Sequence, residues 1–368
     1  MVIYIVIATA LASFLIVDSK STKVNSIAIF SFMGILFFLS AFRFHTVGAD
    51  TGNYLSIFRW IRDLNFFEIH GASLNVWYEN GTTEYVYKVL NWIFSKIIYW
   101  EQSVLIFCSL ITYVLMYRTI TKQSKNALFS VYLFVVFGMF QMSMNLMPSS
   151  LAAMIWLNSL YELSNSKYLI YAIKGVIATG IHNSSIFYFV LLLYKKIKVN
   201  FMMINLIIVG SIVFVFVAMG PFVSLIGHFL PAKYVVYLTP AQTRWTQLIV
   251  LIVQMSILYP IMYANRNNPT FWEKYRISIL CTAIVIASYI FSLRILVFSR
   301  VAFMFSPVLI LTLPNMILDV EINHVTYAPY MVTPRDRQRM IVLWLLALYI
   351  ARLLVNNIGT TVPYISIF

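Results

Sequence analysis

Charged residues are scarce in this chain. Asp, Glu, Lys and Arg make up 10% of its 368 residues, whereas a soluble domain carries roughly 25%. Hydrophobic residues make up 61%, and apolar runs of about 17 to 22 residues, each long enough to cross a bilayer as a helix, recur from end to end. This composition excludes a sizeable soluble domain. It predicts an all-α, polytopic integral membrane protein, a single transmembrane domain over residues 1–368 with about 10–12 transmembrane segments.

Cysteine and the usual cofactor motifs are also missing. The two cysteines, Cys108 and Cys281, both lie in apolar segments, which argues against a disulfide or a metal site. The chain contains no CxxC, HExxH or phosphate-binding loop, so we expect neither a metal nor a cofactor. There is no internal repeat, and no basic residue precedes the first apolar core, which is atypical of a cleaved signal peptide.

Acidic residues are the scarcest charged class, with 12 against 26 Lys and Arg, for a net charge of +14. In a membrane protein this excess usually reflects basic cytoplasmic loops, and no nucleic-acid motif accompanies it. Segment 43–101 holds half of the acidic residues, which favours the outer side of the membrane. Loop 220–244 is assigned to the same outer face.

A polar stretch, Arg43 to Tyr54 (RFHTVGADTGNY), follows the second apolar run. Gly48 and Gly52 permit backbone turns that other residues resist. Charge at a membrane edge combined with tight turns indicates a candidate site. The alternative is an ordinary loop that leaves a helix.

Residues 84–99 are amphipathic. Glu84, Lys88, Asn91 and Ser95 fall on one helical stripe, with apolar residues elsewhere. A crossing here would place the later basic loops outside, so we predict a helix that lies in the outer interface.

The stretch 168–194 has GIHNSS at its middle and a basic run after it. One straight helix would place Lys195, Lys196 and Lys198 outside, against the positive-inside bias. We therefore predict a broken hairpin whose two short helices meet near 180–185, where irregular backbone can line a polar cavity. One straight helix is the alternative.

With this topology, several polar groups meet the outer face. They are Arg43 with His45, Asp50, Asn53 and Tyr54; Asn145; His182 with Asn183; Arg244; and Arg294 with Arg300. Each has a plainer interpretation: the arginines can snorkel to lipid headgroups, His182 can be a satisfied buried histidine, and Asn145 can satisfy carbonyls freed by Pro148. Several arginines with one His and one Asp suit a diphosphate, because guanidinium groups bind phosphate oxygens bidentately. At the outer leaflet, a lipid-linked diphosphate is the natural candidate.

Short motifs run in order along nearly the whole chain. They are Arg43 with Val47, Gly48, Asp50 and Tyr54; Asn145 with Ala152; His182 with Ser184 and Ser185; Arg300 with Pro314; and Pro363 with Tyr364. In this order the chain resembles the EpsG-like family of bacterial polysaccharide polymerases, relatives of the Wzy-type polymerases. The family commonly has Arg-Gln where this chain has Pro148 and Ser149, so no catalytic role is assigned to residues 147–150.

The resemblance implies a GT-C-like glycosyltransferase that joins undecaprenyl-diphosphate-linked oligosaccharides at the periplasmic face of the bacterial inner membrane. The roles assigned on this basis are diphosphate binding by Arg43, Arg244, Arg294 and Arg300; the general base from His182 or Asp50; and sugar contacts by Asn53, Tyr54 and Asn145. Its partners would be those lipid-linked substrates, membrane lipids and a chain-length regulator protein. A lipid-linked oligosaccharide flippase or an O-antigen ligase are the alternatives.

Overall fold

The computed structural model describes residues 1–17, 22–71, 84–227, 245–295, 297–319 and 334–368, and those residues are helical apart from connecting turns and one isolated bridge. The first helices are α1 (Val2–Val17), α2 (Thr22–Ala41), α3 (Thr51–Arg62), α4 (Glu68–Gly71), α5 (Tyr85–Ile97), α6 (Ser103–Gln123), α7 (Ala127–Val136), α8 (Met139–Asn145), α9 (Met147–Ser164) and α10 (Tyr168–Ile181). The later helices are α11 (Phe201–Val213), α12 (Met219–Gly227), α13 (Trp245–Ala264), α14 (Pro269–Lys274), α15 (Arg276–Phe291), α16 (Val297–Phe305), α17 (Leu309–Asp319) and α18 (Pro334–Val355). The 3₁₀ turns are Asn183–Lys196, Ser306–Val308 and Ile358–Thr360, and a π-helix covers Phe214–Ala218.

Several of these helices can cross a bilayer. In the described part of the chain, five segments are long and apolar enough: Val24–Ala41, Ser103–Gln123, Phe201–Leu225, Val297–Asp319 and Arg335–Val355. The bent pair α7 and α8 can form a sixth, and four shorter apolar helices accompany them. The polytopic all-α class is confirmed, and the larger number of about 10–12 segments stays a prediction.

The chain divides into two compact units. Unit 1 comprises residues 1–189 and 338–368, and unit 2 comprises residues 190–337. The assignment of residues 1–368 to a single transmembrane domain stays a prediction.

The predicted break near 180–185 is confirmed. Helix α10 ends at Ile181, His182 is extended at φ −149° and ψ 113°, and a 3₁₀ helix starts at Asn183. The chain then folds back on itself, since the Tyr171 hydroxyl donates to the Tyr188 carbonyl at 2.6 Å. One straight helix over 168–194 is therefore wrong.

A second break was not predicted. Helices α7 and α8 meet at an angle of 62° and are together long and apolar enough to form one broken span. Gly138 sits at the bend with φ +75°, a left-handed conformation that glycine adopts at little cost. The Phe137 carbonyl there accepts a hydrogen bond from Nη1 of Arg352 at 3.1 Å. A side chain thus satisfies a backbone group near the bend, as apolar surroundings require.

Helix α5 is amphipathic as predicted, but its polar stripe faces inward. Lys88, Asn91 and Ser95 are buried, whereas Ile93 and Ile97 are exposed. The helix packs against α3, α6 and α10 with this polar side. An apolar outer face of this kind suits contact with lipid. The placement of α5 at the membrane interface stays a prediction.

The predicted outer loop 220–244 needs correction at its start. The helical run continues through the π-helix Phe214–Ala218 into α12, which ends at Gly227. Pro221 has no backbone N–H to donate to the carbonyl one turn earlier. The π-helix just before it already shifts the backbone hydrogen-bond pattern, so the helix can continue through the proline. The rest of this loop, 228–244, lies outside the described residues.

Candidate active site

Arg43 belongs to unit 1 and is completely buried. Its Nε donates to Thr51 Oγ1 at 3.2 Å, its Nη2 donates to the Met144 carbonyl at 3.0 Å, and its Nη1 donates to the Ser40 carbonyl. It forms no ion pair within the described part of the chain. The guanidinium therefore joins the end of α2 to the last turn of α8, where carbonyls lack helical partners.

Gly48 brings the polar stretch into contact with α8. Its φ is +89°, and a Cβ there would lie 3.3 Å from the Met144 carbonyl oxygen and 3.4 Å from Cα of Asn145. Its N–H donates to the Thr360 carbonyl at 3.0 Å. Both the backbone conformation and the close approach require glycine at this position.

Asn145, at the end of α8, gathers two of the other predicted site residues. Its Oδ1 accepts from the backbone N–H of Asp50 at 3.3 Å, and its carbonyl accepts from the Tyr54 hydroxyl at 2.9 Å. Asp50 is half-buried, and Asn53 is exposed on the first turn of α3. The structure thus brings Arg43, Asp50, Tyr54 and Asn145 together around one short helix.

His182 pairs with Glu84, the residue that precedes α5. The His182 Nδ1 lies 3.3 Å from Glu84 Oε1, and the backbone N–H of Asn183 donates to the same oxygen at 3.1 Å. Burial alone would raise the pKa of Glu84, but hydrogen bonds from His182 and Asn183 outweigh it and hold that pKa below its ordinary value. The His182 Nε2 is buried and has no hydrogen-bond partner among the described residues.

Helix α5 connects the two groups. Tyr87, three residues after Glu84, contacts Tyr54 with ring centroids 6.4 Å apart. Val86 lies so close to α10 that a Cβ on Gly180 would overlap its Cγ2. Glycine at 180 therefore lets α5 approach the turn that carries His182.

The chain's last motif lies beside its first. The Tyr364 hydroxyl donates to the Leu39 carbonyl at 2.9 Å. The N–H of Phe44 donates to the Ile365 carbonyl at 2.9 Å, and the N–H of Ile367 donates to the Phe42 carbonyl at 3.0 Å. The C-terminal segment thus holds the backbone on both sides of Arg43.

The remaining predicted arginines belong elsewhere. Arg294 and Arg300 are in unit 2, where both are exposed and neither forms an ion pair with any described residue. The Arg294 guanidinium carbon lies 5.8 Å from the centre of the Phe216 ring. Arg244 lies outside the described residues.

Sequence reasoning missed three residues that shape unit 1. Glu84 carries the contact to His182, Gln102 donates to the Ala41 and Arg43 carbonyls at 2.8 and 3.0 Å, and Arg352 caps α7. Glu84 had a weak signal, since it begins the polar stripe of α5. Gln102 and Arg352 had none, because nothing local distinguishes them from other polar residues at helix ends.

The described residues contain no group of three His, Cys, Asp or Glu side chains placed to hold a metal ion. Metal independence stays a prediction.

The EpsG family profile matches residues 26–366. This chain belongs to the EpsG family. EpsG membership links the protein to exopolysaccharide biosynthesis. The matched range includes both breaks, the Glu84–His182 pair and the C-terminal motif at Tyr364. No curated protein and no solved structure shows significant similarity to the chain.

Proposed function

We propose that this EpsG-family protein is a polysaccharide polymerase. It joins undecaprenyl-diphosphate-linked oligosaccharide repeat units at the periplasmic face of the bacterial inner membrane, with polysaccharide such as O-antigen as its product. The observation that carries the proposal is the Glu84–His182 pair, because it gives an exopolysaccharide-linked membrane protein an oriented imidazole at a helix break.

The pair supplies a general base. With Nδ1–H donating to the Glu84 carboxylate, the neutral imidazole keeps a lone pair on Nε2, which is buried and must become accessible when the acceptor sugar binds. His182 Nε2 takes the proton of an acceptor sugar hydroxyl as that oxygen bonds to the anomeric carbon of the donor. The bond from that carbon to the diphosphate oxygen breaks, and the lipid diphosphate leaves with the electron pair. General-base catalysis of this kind contributes about 10²–10⁴-fold.

The arginines divide into two roles. Arg294 and Arg300 are exposed and free of ion pairs with described residues, which suits binding of the diphosphate and stabilisation of the charge that develops on it. Arg43 is buried and its donors are engaged, so we assign it to positioning and not to ligand contact. Arg244 stays a proposed diphosphate ligand.

The polar stretch is assigned to the sugars. The exposure of Asn53 suits contact with them, whereas the Tyr54 hydroxyl bonds to the Asn145 carbonyl and helps hold the shape of the surface. Asp50 is the second candidate base. Its backbone bond to Asn145 fixes its position.

The test is polymerisation in vitro. The purified full-length protein in liposomes would receive a synthetic undecaprenyl-diphosphate repeat unit, and products would be resolved as a ladder, with and without EDTA. We expect a ladder from the wild type in both conditions, none from His182→Ala, and a weakened ladder from Arg300→Ala. His45→Ala is the matched histidine control, since His45 is exposed and has no assigned role.

Other outcomes contradict specific parts. Movement of labelled lipid across the liposome without a ladder would identify a flippase. Transfer only to an added lipid A core would identify a ligase. A ladder from His182→Ala would support the polymerase function but exclude His182 as its general base.

A further inference from the structure

Unit 2 contains an apolar cavity between α11 and α15. Its volume is about 560 Å³ and it is open at the protein surface. Its lining includes Ile207, Gly210 and Phe214 from the first helical run and Ala283, Ala287 and Phe291 from the second. The only hydroxyl side chain in the lining is that of Ser211. This volume lies within the range of about 300–1,000 Å³ that is typical of ligand sites.

The cavity is elongated along the two helices. They run side by side in the same direction, since Arg276 Nη1 donates to the Lys195 carbonyl at 3.3 Å at one end and the Phe214 and Phe291 rings lie 5.5 Å apart at the other. The lining residues of α15 extend from Leu280 to Phe291, a helical rise of about 16 Å. That length is about half of a 30 Å hydrocarbon core, so the groove has the depth of one leaflet.

Small residues keep the groove open. A Cβ on Gly210 would meet no heavy atom within 4 Å, and Ala283 and Ala287 contribute only methyl groups on the facing helix. A close-packed helix pair would fill this space with interlocking side chains. The groove therefore has room for an apolar chain that enters from the bilayer.

A positive charge lies at the Phe214–Phe291 end of the groove. Arg294 follows Phe291 by less than one helical turn and lies against Phe216. Its backbone N–H donates to the Phe291 carbonyl at 3.1 Å. The side chain is exposed and has no ion-pair partner among the described residues. An apolar groove that ends at an exposed guanidinium is complementary to a single-chain lipid with an anionic head.

We propose that this groove holds the polyprenyl tail of a lipid-linked diphosphate, with the diphosphate at Arg294. The inference rests on the proposed function, because it names where the lipid part of that donor binds. A polyprenyl diphosphate fits better than a bulk phospholipid, since its head carries more negative charge and its one chain matches one groove.

The experiment is photo-crosslinking with the full-length protein in phosphatidylcholine vesicles. One probe is a polyprenyl diphosphate with a photoreactive diazirine in its tail, and the other is phosphatidylglycerol with a diazirine in one acyl chain. Labelled peptides would be mapped by mass spectrometry. We expect the first probe to label α11 and α15, and unlabelled polyprenyl diphosphate to suppress that labelling while excess phosphatidylglycerol does not.

Three variants locate the site. Gly210→Trp fills the groove and should abolish the labelling. Gly210→Ala adds a methyl group into open space and should preserve it, as should Val209→Trp, which adds the same bulk to an exposed position outside the groove. Arg294→Gln should weaken competition by polyprenyl diphosphate by about tenfold, the loss of one charge-assisted hydrogen-bonding group. Circular dichroism would show whether Gly210→Trp is folded. If it is not, the map of labelled peptides in the wild type still tests whether the tail binds in the groove.

Each contrary result overturns a defined part. Equal labelling by phosphatidylglycerol, or labelling that persists in folded Gly210→Trp, would show that bulk lipid or another surface accounts for the signal. Unchanged competition in Arg294→Gln would remove the diphosphate from that end. Labelling requires no turnover, so groove labelling without a ladder would contradict the proposed polymerase alone. A ladder without groove labelling would contradict only this inference.

Discussion

Arginines that look alike in the sequence have opposite surroundings at the residue scale. Arg43 is completely buried and donates to two carbonyls and a hydroxyl. Arg294 and Arg300 are exposed. A buried charge is costly unless it is hydrogen-bonded, so Arg43 is retained in the fold by those bonds. The exposed pair can exchange water for a ligand without disrupting any packing.

Substitution should separate these roles. We expect Arg43→Gln to lower the unfolding temperature, because each carbonyl left without a donor costs about 1–3 kcal/mol. Arg43→Lys should also destabilise the protein, since an ammonium cannot reproduce the planar fork of the guanidinium.

Arg300→Gln should unfold near the wild-type temperature but lower kcat/KM about tenfold, the loss of one charge-assisted contact. Thermal unfolding would measure the stability of each variant, and polymerisation kinetics would measure its kcat/KM. If Arg43→Gln is as stable as the wild type but cannot bind the lipid diphosphate, Arg43 is a diphosphate-binding residue and not a positioning residue.

The Glu84–His182 contact should make stability depend on pH. Because the pKa of Glu84 is held below its ordinary value, folding favours the carboxylate. Its stabilising contribution is present above the unfolded carboxyl pKa of about 4.3 and is lost as pH falls through the folded value. We therefore expect Glu84→Gln to be less stable than wild type at pH 7, with the difference shrinking below about pH 4.3.

The control for this prediction is Glu101→Gln, which removes a partly exposed ion pair with Arg59. A surface pair of this kind is worth under about 1 kcal/mol. Unfolding temperatures would be compared between pH 7 and pH 3. A constant difference between wild type and Glu84→Gln over that interval would contradict the carboxylate's assigned contribution.

At the scale of elements, the two helix breaks and the polar stripe of α5 show which features could be predicted from the sequence and which could not. The break at His182 was readable because Lys195 and Lys196 bias the topology and a polar run marks the turn. The break at Gly138 was not, because a single glycine in an apolar run carries no charge signal. The polar stripe of α5 has the same period whichever side it faces, so the sequence could not show that it packs inward.

The same limit applies to the site. The order of the motifs indicated that Arg43, Asn145 and His182 belong to one function, but it could not show which side chains touch. Glu84 and His182 meet only because α5 packs on α10 at Gly180. Long-range contacts of this kind follow from packing, which local patterns do not record.

Helix α8 should depend on the glycine that precedes it. We expect Gly138→Ala to destabilise unit 1 by about 1–2 kcal/mol, the cost of a left-handed conformation for an L-residue. The added Cβ would also lie 3.1 Å from Nη1 of Arg352 and 3.2 Å from Cγ2 of Ile358. Gly34→Ala is the matched control, because its Cβ would meet nothing within 4 Å inside α2. Unfolding in a denaturing detergent would rank the two, and equal stability would contradict the assignment of strain to Gly138.

At the scale of the molecule, segments from the two ends of the chain bond to each other within unit 1. The backbone at Phe42 and Phe44 pairs with Ile365 and Ile367. Arg339 of α18 donates from Nε to the Ile16 carbonyl of α1 at 3.2 Å. The candidate site therefore depends on residues from both ends of the chain, with unit 2 inserted between them in the sequence.

The orientation of the whole molecule can be tested by cysteine accessibility. Cys108 and Cys281 are both completely buried, so the wild type should be silent toward a membrane-impermeant maleimide. Phe67 is 90% exposed in the acid-rich segment assigned to the periplasm, and Lys125 is exposed in the basic turn between α6 and α7. Because basic loops stay inside, we expect Phe67→Cys to react in intact cells and Lys125→Cys only after permeabilisation.

The reversed pattern would have a direct consequence for function. It would place the polar stretch and Glu84, which both belong to segment 43–101, on the cytoplasmic side, away from periplasmic lipid-linked repeat units. His182, which bonds to Glu84, would then face the wrong compartment for the proposed reaction. Reaction of both variants in intact cells would instead place segment 43–101 and the turn at Lys125 on one side, and α6 would then not cross the bilayer.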